Sequence, residues 1–121
     1  MSLDIEFPCD PRAPARARDA VRRLGEQLDA QLAADVELLV SELVTNSVKY
    51  AGDGAVRLSA LSDRPRHVWV EVSDEGHGFV AVPRDRPATD AGGWGLQLVD
   101  SMADRWGVHH SSTRVWFEID R

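Results

Sequence analysis

The sequence predicts an α/β fold, an α+β sandwich in which a mixed, mostly antiparallel sheet is covered on one face by three helices. Three observations lead there. Strands marked by a two-residue period arrive as adjacent pairs, without a regular βαβ alternation. Three stretches carry the three- and four-residue spacing of an amphipathic helix. The 121 residues, 43% hydrophobic and 28% charged, suit one compact domain, residues 1–121, with a real core.

The elements follow in order. Leu3, Ile5 and Phe7 alternate with Asp4 and Glu6, a strand with one buried face that Pro8 and Pro11 close. From Pro14 to about Leu28 the apolar positions Ala17, Val21, Leu24 and Leu28 step by four, three and four, which predicts a helix. Its Arg12, Arg16, Arg18, Arg22 and Arg23 read as a solvated outer face. A second helix is expected from Asp35, its N-cap, to about Ala51, packing through Val36, Val40, Leu43, Val44 and Ser47 or Val48, with Gly52 beyond its end. Val56, Leu58 and Ala60, then Val68, Val70 and Val72, alternate with polar neighbours around the turn residues 62–66, which predicts a hairpin. Residues 74–94 lose all periodicity and read as a long functional loop. Leu96, Val99 and Met102 restore a helix, and Val115, Phe117 and Ile119 mark a last strand paired with 106–110 across Ser111-Ser112-Thr113.

Charge narrows the function. Fourteen cations against 20 anions give −6, which argues against a duplex-binding protein while leaving room for a small phosphate ligand. No apolar run approaches the roughly 18–20 residues of a membrane span, and the acidic start is unlike a signal peptide, so a cytoplasmic protein without membrane or direct nucleic-acid partners is expected. The single cysteine, Cys9, excludes an intramolecular disulfide and a cysteine-built zinc site. The adjacent His109 and His110, on a strand, point to opposite faces and do not share a metal.

Three segments carry polar groups suited to chemistry. On the second helix, Glu42 and Asn46 are four apart and Asn46 and Lys49 three apart, so a carboxylate, an amide and the chain's one lysine ammonium share a face. Asp74-Glu75-Gly76-His77-Gly78 follows a strand, placing Asp74 at a sheet edge beside glycines that admit a ligand close to the backbone. Gly92-Gly93-Trp94-Gly95-Leu96 opens a helix, whose free N–H groups favour an anion.

In this order and spacing the three segments resemble the N, first-glycine and second-glycine boxes of the GHKL ATPases, from about residue 5 to 119. The short length and the run from Gly95-Leu96-Gln97-Leu98-Val99-Asp100 to Trp106-Gly107-Val108 resemble the small anti-sigma-factor serine/threonine kinases of actinobacteria. The resemblance implies a Bergerat-type sheet, ATP and Mg²⁺ as cofactors, and a sigma factor or anti-anti-sigma protein as partner, with homodimers frequent among relatives. By the same resemblance Asn46 holds Mg²⁺, Glu42 is the base for an attacking hydroxyl, and Asp74 accepts from the adenine amine. Gly76 and Gly78 shape the adenine pocket, Lys49 meets phosphate with Tyr50 near the nucleotide, and Gly93, Trp94, Gly95 and Leu96 line the phosphates.

Asn46-x-x-Lys49-Tyr50 is closer to the histidine-kinase box than to the anti-sigma kinases, which more often carry Arg or His in place of the Lys. No basic residue directly precedes Gly92-Gly93; Arg84 or Arg86, in the loop, is the candidate γ-phosphate contact. Two readings therefore stand beside the anti-sigma kinase: a nucleotide-binding, partner-gripping module without phosphotransfer, and a detached histidine-kinase catalytic domain.

Overall fold

The structure is a computed structural model that describes residues 1–51, 53–75, 94–109 and 113–121, with only the backbone of residues 94 and 95. The elements run β1 (Ser2–Pro8), α1 (Ala13–Gly25), α2 (Ala30–Tyr50), β2 (Ala55–Arg64), β3 (His67–Asp74), α3 (Trp94–Met102), β4 (Arg105–Val108) and β5 (Val115–Asp120). This is the expected order.

The five strands form one sheet in the order β1-β2-β3-β5-β4. Every described pair is antiparallel, so the expected parallel component is not found among them. Val56, Leu58 and Ala60 of β2, Val68, Val70 and Val72 of β3, and Val115, Phe117 and Ile119 of β5 all point to the buried face, as the two-residue period requires. The helices cover that face. On the open face Gly107 lies under the Trp116 indole, where an added Cβ would come within 2.8 Å of the ring nitrogen and displace the ring.

Small residues bring α1 close to α2: Ala13, Ala17, Ala20, Val21 and Leu24 are buried along it, and a Cβ at Gly25 would stand 3.1 Å from that of Ala33. Helix α1 ends at Gly25, three residues short of expectation, although Leu28 is still buried in the connection. Two of the α1 arginines are not simply solvated. Arg22 pairs with Glu37 at 2.8 Å and Arg18 donates to Ser41 Oγ at 3.0 Å, both reaching across to α2.

Helix α2 begins at Ala30 rather than Asp35. Its N-cap is Asp29, whose side chain accepts from the Leu32 amide, a weak cap at 3.5 Å. Leu32 is fully buried and extends the apolar stripe by a turn, so packing carries the helix past the point where a capping residue alone suggested a start. Asp35 instead accepts from Gln31 and pairs with Arg121. The β2–β3 turn is also tighter than the expected 62–66: both strands run to a Pro65-Arg66 turn, with a register shift between Leu61 and Arg64.

His67 sits beside that turn between two carboxylates, Nδ1 2.7 Å from Asp63 and Nε2 2.6 Å from Glu118, while Arg105 donates to the other Glu118 oxygen at 2.7 Å. Hydrogen bonding to Glu118, then to Asp63, holds the imidazolium above its ordinary range against the opposing effect of burial. Glu118 is held below its ordinary range by Arg105 and then His67. A raised folded-state value means that the His67 contribution is complete below the unfolded value near 6.5 and fades as pH rises through the folded one. Urea titrations of wild type and His67→Gln are accordingly expected to show a stability difference that shrinks as pH climbs above 6.5; a difference independent of pH would contradict the pairing.

Candidate functional site

Two of the segments singled out in the sequence, the polar face of α2 and the end of β3 at Asp74, lie toward one end of the sheet. Antiparallel pairing puts the end of β1 at Pro8 opposite the start of β2 at Ala55, and the end of β3 at Asp74 opposite Val56. Strand β4 ends and β5 begins at the same level, with Val108 opposite Val115 and Val72 beside it. Helix α2 ends at Tyr50, a short connection before β2 starts.

On α2 the apolar stripe decides which side chains reach this rim. Leu32, Val36, Leu39, Val40, Leu43, Val44 and Ser47 are buried, which turns Glu42 and Asn46 to the edge of the packed face, both half-buried. The hydroxyls around them are engaged: Ser41 Oγ accepts from Arg18 and Thr45 Oγ1 donates to the Ser41 carbonyl at 2.7 Å. Glu42 and Asn46 form no hydrogen bond or ion pair with any described residue. Their functional groups are thus not consumed in holding the described part of the fold. Lys49 and Tyr50 are exposed at the end of the helix, the ammonium 6.0 Å from the ring centroid.

Asp74, half-buried, is held through its backbone. Its amide donates to Thr113 Oγ1 at 3.1 Å, and the Thr113 hydroxyl donates to the Asp74 carbonyl at 2.8 Å, so one side chain closes both polar groups of the last β3 residue. Thr113 escaped the sequence reading because it sits among turn residues; a β-branched hydroxyl just before a strand was its only signal. Gly54, at φ 74, and Glu75, which accepts from the Ala55 amide, were likewise not singled out as site residues.

Helix α3 is described from Trp94, within the glycine-rich segment. Leu96 is buried in the core, so its side chain serves packing and only its backbone is available to a ligand. Gly76, Gly78, Gly93, Arg84 and Arg86 lie outside the described residues, as does His110. His109 follows β4 rather than lying on it, 3.5 Å from Glu71. Among the described residues no group of three or more His, Cys, Asp or Glu is placed to hold a metal.

A sequence profile described as "Histidine kinase-like ATPase domain" matches residues 7–119. The chain belongs to the histidine kinase-like ATPase domain family. That places it in the GHKL superfamily of ATP-binding modules, and the five-stranded antiparallel sheet with three helices agrees with that fold. Among solved structures it is similar to the histidine kinase domain of a blue-light activated histidine kinase from Erythrobacter litoralis EL346, at 21% identity and a TM-score of 0.47. The match covers 88% of this chain and 58% of that one, so this ATPase domain spans little more than half of that structure. No curated protein matches it. Among the described residues no helix is long and apolar enough to cross a membrane.

The clasp on Asp74 is directly testable. Thr113→Val leaves a half-buried amide without its acceptor, which typically costs about 1–3 kcal/mol. Denaturant unfolding is expected to show a loss of this size, with faster hydrogen exchange at the Asp74 amide; unchanged exchange would place the anchor of Asp74 elsewhere.

Proposed function

We propose that this GHKL module is an ATP- and Mg²⁺-dependent serine/threonine kinase that acts as an anti-sigma factor in partner switching, gripping a sigma factor in one state and phosphorylating an anti-anti-sigma protein in another. The observation that carries the reading is the rim of α2, where Glu42 and Asn46 stand one turn apart, unengaged by any described residue, at the same sheet end as Asp74. The family match supports the ATP-binding half of it. The serine/threonine specificity, the sigma-factor partner and a homodimeric assembly rest on the resemblance of the sequence motifs.

In this reading Asp74 accepts from the exocyclic amine of adenine, where guanine offers its O6, itself an acceptor. Asn46 lends its amide oxygen to the metal, and Lys49 adds a point charge toward the phosphates. Bound Mg²⁺ neutralises charge on the β- and γ-phosphates. Glu42 takes the proton from a serine or threonine hydroxyl of the partner as that oxygen bonds to the γ-phosphorus; the bond to the β–γ bridging oxygen breaks and ADP leaves. Glycine backbone at 76, 78, 93 and 95 and the neighbouring Trp94 complete the pocket.

One observation favours a second reading. No basic residue directly precedes Gly92-Gly93, where a γ-phosphate would call for one. A module that binds nucleotide and grips a partner without transferring phosphate needs no such charge.

Nucleotide identity tests Asp74. A charge-assisted hydrogen bond contributes about 1.5–3 kcal/mol, so calorimetry is expected to show ATP bound well above GTP and the preference collapsing in Asp74→Asn. Undiminished ATP affinity in that variant would remove Asp74 from the adenine pocket. Transfer tests Glu42. Losing a general base costs about 10²- to 10⁴-fold, so Glu42→Gln is expected to keep ATP affinity while phosphate incorporation into a purified partner collapses. A wild type that binds ATP and partner yet transfers nothing would select the second reading.

A further inference from the structure

We infer that Glu75 is a positioning residue for Asp74, the key of a latch that ties the end of β3 to the site-bearing end of α2; this role rests on the nucleotide reading above and deepens it. Asp74 is the last ladder position of β3, opposite Val56. Strand pairing goes no further, and the Glu75 carboxylate carries the attachment on by accepting from the Ala55 amide. The residue before Ala55 makes room for it. Gly54 has φ 74, and a Cβ there would stand 2.7 Å from Glu75 Oε2 and 3.0 Å from its Cβ. Glycine at 54 thus meets two demands at once, a left-handed backbone and space for the carboxylate.

The other side of Gly54 continues toward α2. The Gly54 carbonyl accepts from the Cys9 amide at 2.9 Å, and Cys9 Sγ donates to the Ser47 carbonyl at 3.5 Å. Cys9 and Ser47 are both buried, and Ser47 directly follows Asn46. A continuous path of contacts therefore runs from Asp74-Glu75 through Ala55-Gly54 and Cys9 to the helix turn that bears Asn46 and Lys49. An exposed glutamate ordinarily has no fixed place. Here the carboxylate is engaged by a backbone amide, which ties down the residue next to Asp74.

The test compares wild type, Glu75→Ala and Glu75→Gln. Amide exchange at Ala55 reads the latch in the nucleotide-free protein, calorimetry with ATP and with GTP reads its consequence, and thermal unfolding controls for general damage. Glu75→Ala is expected to speed Ala55 exchange and to narrow the ATP-over-GTP preference roughly tenfold, the size of an ordinary coupling between contacting residues. Glu75→Gln keeps an oxygen acceptor and is expected to retain both properties, with thermal midpoints close to wild type throughout. The inference is overturned if Ala55 exchange is unchanged in Glu75→Ala, if the ATP-to-GTP ratio is unchanged, or if the ratio moves only together with a fall in thermal midpoint. A wild type with no affinity for ATP would overturn the nucleotide reading, and this role with it, from the wild-type arm alone.

Discussion

The burial of one stripe of α2 is the constraint on which the rest of the structure depends. Six aliphatic side chains, Leu32, Val36, Leu39, Val40, Leu43 and Val44, face the sheet and the neighbouring helices with almost no exposed surface. Each stabilises by about 1.5–3 kcal/mol when fully buried. Turning the helix by one residue, about 100°, would carry Glu42 toward the core and Leu43 toward solvent. The cost of that exchange, a lost aliphatic contact together with a carboxylate pressed into an apolar layer, exceeds anything the rim residues contribute to stability. The orientation of Glu42 and Asn46 is therefore a by-product of packing, and they need no partners of their own to hold it.

The second arm is held differently. Asp74 stands where a strand runs out, and polar contacts keep it in place: Thr113 closes its amide and carbonyl, and the Glu75–Ala55 contact lies next along the chain. Such hydrogen bonds are worth about 0.5–1.5 kcal/mol each, far less than the burial beneath α2. The site thus joins a rigid half, set by the core, to a half set by a few polar ties. Loss of a single tie in the second half costs less than loss of Leu39 or Val40, which would threaten the core on which both halves rest.

Most of this was legible in the sequence because the signals were periodic. Alternating apolar residues marked β2, β3 and β5, and the spacing in α2 identified its buried face and the polar rim. The boundaries were less readable. Asp35 has the chemistry of an N-cap, yet the helix begins at Ala30 because Leu32 still finds the core, and tertiary packing outweighs a local capping preference worth about 1 kcal/mol. The Arg18 and Arg22 contacts to α2 were hidden because a helix read alone does not reveal its neighbour. Thr113, Gly54 and Cys9 were hidden for the same reason. Each acts through backbone groups distant in sequence, a relation that no spacing rule encodes.

In the proposed function α2 and the end of β3 form one nucleotide site. A titration of isotope-labelled wild type with Mg·ATP, followed by amide chemical shifts, tests this most directly. The amides of the Glu42–Lys49 run and of Asp74 are expected to shift together and saturate on a single binding curve. Movement of one group without the other, or no movement in either at saturating nucleotide, would contradict it.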